Sequence, residues 1–141
     1  MGDVDIRTAG EADLAAVLAL WQADESSAVW SQDAARRLLA HDPGALLLAV
    51  SEGRIVGTLI AAWNGWRGSF YRLVSHPDLR RRGIARRLLR AGEERLVALG
   101  ATRLTAIVEP SDPVASAFWE AMGYERQLYR ARYVRSAGDP R

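Results

Sequence analysis

Apolar and polar residues alternate along this chain with two different periods, and the switches between them mark out its elements. Val4–Thr8 (VDIRT) alternates at period two and predicts a short strand, with Gly10 as punctuation after it. Leu14, Val17, Leu18 and Trp21 recur at helical spacing, so Glu11–Ala23 reads as an amphipathic helix. A polar stretch follows. Ser31 then stands where a cap is needed for a second helix, whose buried face is Ala34, Leu38 and Leu39 and which Asp42-Pro43-Gly44 closes. Ala45–Ser51 is a run of aliphatic residues typical of a buried strand. Glu52-Gly53-Arg54 is a tight turn, and Ile55–Trp63 forms the partner strand. Asn64-Gly65 is a second turn signal, because both residues tolerate positive φ, and Ser69–Ser75 is the next strand. Beyond His76-Pro77-Asp78, a helix from Arg82 to Leu99 keeps Ile84, Leu88, Ala91, Leu96 and Leu99 in period until Gly100 stops it. Thr102–Val108 reads as a strand. Pro113–Met122 reads as a helix with proline in its first turn, and Gln127–Val134 as a last strand.

The order β-α-α-β-β-β-α-β-α-β places antiparallel hairpins first and a β-α-β unit after them. That predicts an α/β protein with a mixed sheet covered by helices. Residues 1–135 are expected to form a single domain and residues 136–141 a disordered tail.

Composition narrows the chemistry. The chain has 141 residues and no cysteine, which leaves no thiolate nucleophile, disulfide framework or cysteine-based zinc site. Its two histidines, His41 and His76, do not suggest a metal cluster, so no metal is expected. No basic start precedes an apolar stretch, and no apolar run approaches the roughly 20 residues of a membrane span. A cytoplasmic address and no membrane partner are the resulting expectations.

The net charge of +2 hides a separation. Residues 1–52 hold nine acids and three arginines, giving −6, while residues 53–141 hold eight acids and sixteen arginines, giving +8. Every basic residue is arginine, whose planar fork of donors suits phosphate. A genome-wide preference for arginine over lysine would explain the missing lysine. It would not explain the segregation.

The arginines gather where a strand ends and a helix begins, in Leu73-Val74-Ser75-His76-Pro77-Asp78-Leu79-Arg80-Arg81-Arg82-Gly83-Ile84-Ala85-Arg86. The first N–H groups of a helix have no intrahelical acceptor, and the helix dipole makes that end attractive to anions. Small residues such as Gly83 and Ala85 would let a diphosphate approach the backbone. The spacing is neither a nucleoside-triphosphate loop nor a dinucleotide loop. On physics alone a second reading stands beside the anion site, that of a solvated basic helix beginning at a glycine.

Arg80-Arg81-Arg82-Gly83-Ile84-Ala85 resembles the Q/R-x-x-G-x-G/A signature of the GNAT family of N-acetyltransferases. Asp112-Pro113-Val114-Ala115-Ser116-Ala117-Phe118-Trp119-Glu120-Ala121-Met122-Gly123-Tyr124 resembles the family's later N-P-x-A-x-x-F-Y-E-x-x-G-F segment, at the usual separation from the first. The resemblance covers nearly the whole chain. It implies a mixed sheet whose fourth and fifth strands splay apart to hold acetyl-CoA as co-substrate. Carried over by position, it implies that Leu73, Val74 and Ser75 offer backbone groups to pantetheine. Arg80, Arg81, Arg82, Gly83, Ile84, Ala85 and Arg86 would hold the pyrophosphate, and Phe118 and Trp119 would pack near the far end of the cofactor arm.

The sequence departs from the family at two places that bear on mechanism. Trp119 stands where many members carry a tyrosine thought to reprotonate the leaving thiolate, and an indole N–H is too weak an acid for that. Tyr129 and Tyr133 are the alternative donors, with solvent as a third source. Ser69–Ser75 lacks the carboxylate that several members use as a base, so Glu109 and Glu25 are the stand-ins. Asp112 replaces the usual asparagine and suits a helix cap.

The expected activity is direct attack of a primary amine on acetyl-CoA by a monomer or homodimer. The acceptor, a small molecule or a peptide, is left open. A non-catalytic acyl-CoA-binding or sensor domain is the alternative. The arginines cluster at one helix start and form no face with interleaved aromatics, so no nucleic-acid partner is expected. If the acidic N-terminal third lines the acceptor's approach, a cationic amine is favoured.

Overall fold

The computed structural model describes residues 3–23, 31–79 and 82–138. They fall into two compact units, Met1–Ile107 and Val108–Arg141.

The first unit is built on a five-stranded mixed sheet whose spatial order, β1-β2-β3-β4-β5, copies the order of the strands in the chain. β1 (Val4–Thr8), β2 (Leu46–Ser51), β3 (Arg54–Trp63) and β4 (Gly68–Ser75) form an antiparallel meander, and β5 (Leu104–Ala106) joins β4 in parallel. The alternating VDIRT pattern suits an edge strand with one covered face. The aliphatic LLLAVS run is buried at every position except Val50, which fits a strand covered on both faces.

One face is covered by α1 (Leu14–Ala23) and α2 (Gln32–His41). Leu14, Val17, Leu20 and Trp21 of α1 and Ala35 of α2 pack with Leu46, Leu48, Ile60 and Val74 of the sheet. A 3-10 turn at Glu11–Asp13 takes the place of the expected first turn of α1. Ser31 caps α2 as expected, accepting a 3.0 Å hydrogen bond from the Ala34 amide.

The other face is covered by α3 (Ile84–Leu99), which lies so close to the sheet that two side chains are dispensed with. A Cβ on Gly57 of β3 would stand 2.9 Å from Cγ2 of Ile84, and one on Gly92 of α3 would stand 2.9 Å from Cδ2 of Leu59. Arg95 of α3 donates to the Ala61 carbonyl at 3.2 Å and pairs with Asp42, fixing the far end of the helix against the turn before β2.

The second unit contains α4 (Pro113–Ala121), capped by Asp112, whose carboxylate accepts from the Ala115 amide at 3.0 Å. The strand expected over Gln127–Val134 does not form, and these residues are irregular. Alternation supplies a strand with two faces, but only a neighbouring ladder supplies the hydrogen bonds that make it a strand. None is present for this segment among the described residues. β5 is likewise shorter than the expected Thr102–Val108, because its pairing with β4 ends at Ala106.

Among the described residues, no helix is long and apolar enough to cross a membrane.

Candidate functional site

β4 changes character halfway along its length. Its first half is paired on both sides: Gly68, Ser69 and Phe70 face Leu104, Thr105 and Ala106 of β5, and the Ser69 and Thr105 hydroxyls lie 3.1 Å apart. Beyond Phe70 the pairing with β5 stops, while pairing with β3 continues to Ser75. Tyr71–Ser75 therefore presents an edge with no ladder partner on the β5 side among the described residues. Leu73, Val74 and Ser75, the sequence candidates for pantetheine contact, all lie on this stretch.

The same stretch carries a bulge. Ile60 pairs with Tyr71 but Thr58 pairs with Val74, so Arg72 and Leu73 together oppose the single residue Leu59. Arg72 takes φ of +55°, a left-handed conformation uncommon outside glycine. Its carbonyl accepts a 2.9 Å hydrogen bond from the Thr58 hydroxyl, and that hydroxyl accepts a 2.8 Å bond from the indole N–H of Trp21. Both Trp21 and Thr58 are buried. The Arg72 guanidinium lies 5.2 Å from the centre of the Trp21 ring.

From β4 the chain turns tightly towards α3. The His76 amide donates to the Val56 carbonyl at 2.8 Å, and Pro77–Leu79 forms a short 3-10 turn. Gly83 is the residue before α3, at φ +76° and ψ +11°, with no side-chain cap. This conformation favours glycine. Among the described residues, nothing beyond its chain neighbours lies within 4 Å of the point a Cβ would occupy. The first backbone bond closing on this end among the described residues is Arg87 N–H to Gly83 carbonyl at 3.0 Å, and the amides of Ile84, Ala85 and Arg86 precede it in the first turn. Ile84 is buried and Ala85 half-buried, while Arg82 and Arg86 are exposed beside the helix start. Arg87, next in line, donates instead to the Val4 carbonyl of β1. Arg80 and Arg81 lie outside the described residues.

The first unit thus brings Leu73–Ser75 and Gly83–Arg86 onto one strand–turn–helix passage. Phe118, Trp119, Glu109, Tyr129 and Tyr133 belong to the second unit. There Trp119 sits edge-on between Phe118, at 5.7 Å, and Tyr124, at 5.0 Å between ring centres. Glu109 is in the coil before α4, and its backbone carbonyl accepts from the Asp112 amide at 3.0 Å. Tyr129 and Tyr133 lie in the irregular segment, with the Arg130 guanidinium 5.4 Å from the Tyr129 ring. Glu25 falls outside the described residues.

The acidic N-terminal third is less bare than its composition implies. Asp13 grips Arg7 through both carboxylate oxygens, at 2.8 and 2.9 Å, and accepts from the Gly10 amide at 2.8 Å. These bonds hold its carboxyl at about 2, below its ordinary 3.8. Glu11 and Asp33 both pair with Arg36, and Asp42 pairs with Arg95. Arginines thus answer these four acids locally, which reduces the field available to steer a cationic acceptor.

Three residues at the β4 bulge escape a reading of the sequence: Thr58, Arg72 and the polar edge of Trp21. One signal was available. Thr58 is the single hydroxyl in the otherwise apolar Ile55–Ala62 run. Tyr71 was also missed; it is exposed and stands at the residue where β5 leaves β4.

Three kinds of comparison bear on this arrangement. The family model described as the acetyltransferase (GNAT) family matches residues 15–124. An acetyltransferase from Yersinia enterocolitica is 33% identical over 126 residues, spanning 88% of this chain and 89% of that protein. One from Pectobacterium atrosepticum is 34% identical over 124 residues, spanning 86% of this chain and 88% of that protein. Among solved structures, an aminoglycoside N-acetyltransferase in complex with CoA superposes with a TM-score of 0.77 at 19% identity, covering 97% of both chains. Ard1 from Thermoplasma volcanium gives 0.79 at 16% identity, over 85% of this chain and 81% of its own.

Proposed function

This chain belongs to the acetyltransferase (GNAT) family, and we propose that within it residues 1–135 act as one catalytic domain that moves the acetyl group of acetyl-CoA to a primary amine. The observation that carries the reading is the half-paired β4. An edge open over Tyr71–Ser75 is followed in the chain by a helix start at Gly83 that has no side-chain cap. Pantetheine contains two amides, which match the hydrogen-bonding groups of an open strand edge. The diphosphate beyond it matches the first-turn amides of Ile84, Ala85 and Arg86, with Arg82 and Arg86 and, by sequence, Arg80 and Arg81 supplying charge. Phe118 and Trp119 flank the distal part of the arm in this reading. One solved structural neighbour, an aminoglycoside N-acetyltransferase seen in one structure with CoA and in another with a bisubstrate analogue of CoA and acetylneamine, supports acetyl-CoA as the co-substrate.

The transfer is a direct displacement. The neutral amine adds its lone pair to the thioester carbonyl carbon, forming the C–N bond and placing charge on the oxygen. Collapse of that adduct breaks the C–S bond and expels CoA thiolate. The surplus proton on nitrogen passes to solvent or to a carboxylate, Glu25 or Glu109. The thiolate takes a proton from solvent, Tyr129 or Tyr133. An acetylated cysteine cannot intervene, because the chain has no cysteine.

Acetyl-CoA turnover against a panel of small amines and peptides, read by thiol release, tests the reading. Amine-dependent release whose kcat/KM climbs with pH towards the acceptor's own pKa supports it. Tight acetyl-CoA binding with no release for any amine would favour the non-catalytic sensor, the reading to which Trp119 in place of tyrosine lends weight.

A further inference from the structure

The ladder with β3 holds the backbone of β4, but where the strand kinks a side chain takes over. Arg72 sits at φ +55° in the bulge, and its carbonyl accepts from the Thr58 hydroxyl at 2.9 Å. That hydroxyl is in turn oriented by the Trp21 indole, 2.8 Å away. A hydroxyl has one hydrogen to give, and the incoming indole N–H occupies an acceptor site on its oxygen. Its own hydrogen is thereby directed to the Arg72 carbonyl. Thr58 is fully buried and Trp21 nearly so, which shields the bond between them from water, while the Thr58–Arg72 bond is part-buried. The two residues come from different layers, Trp21 from α1 and Thr58 from the middle of the sheet.

We propose that Trp21 and Thr58 are positioning residues for the acetyl-CoA edge: their relay holds the Arg72 bulge and so fixes the backbone of Leu73, Val74 and Ser75 in the geometry that receives pantetheine. The proposal rests on the reading of β4 as the acetyl-CoA edge. The physical ground is that a non-glycine residue in the left-handed region, as Arg72 is at φ +55°, is strained and persists only where its surroundings over-determine it. Here the relay is one such determinant, acting directly on the Arg72 carbonyl. Without it, β4 can relax towards regular pairing with β3, which shifts the register of the carbonyls and amides beyond Arg72 by one residue. Neither residue touches the reacting atoms. Both act through the backbone of β4.

Three variants of the full chain test this. Thr58→Val keeps the shape and removes both bonds, Thr58→Ser keeps both, and Trp21→Phe removes only the outer one. Each is measured for acetyl-CoA affinity by calorimetry, for amide hydrogen exchange across Tyr71–His76 without ligand, and for thermal unfolding. Thr58→Val is expected to bind acetyl-CoA about tenfold more weakly, the equivalent of roughly 1.4 kcal/mol, and to exchange faster across Tyr71–His76 than elsewhere in the sheet. Thr58→Ser should restore both properties, a rescue that loss of general stability would not produce, and Trp21→Phe should fall between. If Thr58→Val does not fold, Trp21→Phe decides by the same two readouts. Parent-like affinity and parent-like exchange in the folded variants would overturn the proposal. If the parent itself fails to bind acetyl-CoA, the functional reading falls, and local exchange alone then decides whether the relay holds the bulge.

Discussion

Gly57 and Ile84 meet without room for a methyl group between them: a Cβ at position 57 would lie 2.9 Å from Ile84 Cγ2 and 3.1 Å from the Val74 carbonyl oxygen. The first of these neighbours begins α3 and the second belongs to β4. The missing side chain therefore sets how closely the helix start approaches the strand edge. Gly57→Ala must push against backbone on one side, and overpacking of this kind costs about 1–3 kcal/mol. It should lower the denaturant midpoint and also weaken acetyl-CoA binding, because the two halves of the candidate site move apart. Equal stability and affinity in Gly57→Ala would show that the contact is slack.

Gly83 makes the opposite case. No described residue crowds it, but its backbone is at φ +76°, so the demand for glycine comes from conformation. Gly83→Val forces a β-branched residue into the left-handed region, at a cost of about 1–3 kcal/mol, or unwinds the helix start to escape it. Unwinding misplaces the amides of Ile84 and Ala85, and a valine held in place puts its side chain where the diphosphate would approach. Acetyl-CoA affinity should fall by about tenfold or more, as read by calorimetry on protein shown to be folded by circular dichroism. Binding as tight as the parent's would move the diphosphate elsewhere.

Trp119 is clasped edge-on by Phe118 and Tyr124, which is how an aromatic residue packs. Trp119→Phe keeps a ring in that clasp and should retain most of kcat, whereas Trp119→Ala empties it and should lower stability by less than the about 3–5 kcal/mol of a core aromatic, because Trp119 is half-buried. A collapse of kcat in Trp119→Phe, with acetyl-CoA affinity unchanged, would mean that the indole N–H takes part in the chemistry.

The Asp13–Arg7 pair gives a pH dependence with a definite sign. With its carboxyl at about 2 in the fold against an ordinary 3.8, Asp13 releases its proton more readily folded than unfolded. The pair therefore adds stability above about pH 4 and loses it as pH falls towards 2. Asp13→Asn should be less stable than the parent by about 1 kcal/mol at neutral pH, since Arg7 is half-exposed. The difference should shrink in urea titrations at about pH 2.5, inside that window. A gap that stays constant between the two pH values would assign the cost to something other than the ion pair.

Much of the sheet was legible because its determinants are local. The alternation of Val4–Thr8, the aliphatic run before Ser51, the Asn64-Gly65 turn and the Ser31 and Asp112 caps each act over a few residues, and each appears in the fold. At Asn64 the side chain itself closes the turn, accepting from the Trp66 and Arg67 amides at 2.9 and 2.7 Å. What was not legible depends on partners distant in sequence. Arg72 adopts its conformation against Thr58, fourteen positions away, and Trp21 reaches Thr58 across thirty-seven. Gln127–Val134 has the pattern of a strand but not the neighbour. The candidate site divides in the same way. The glycine-started helix could be read from Arg82-Gly83-Ile84, whereas the bulge in the strand that feeds it could not.

The sheet's spatial order has a consequence for how the chain reaches its native state. Because β1 to β5 lie side by side in the order in which they are made, no strand has to be inserted between two that are already paired. The meander from β2 to β4 closes over tight turns, with low loop-closure cost. During synthesis it can pair before α3 has left the ribosome, and α3 with β5 then closes against a surface already laid down. The last piece to arrive in the first unit is the short β5, and where its pairing stops, the open half of β4 begins.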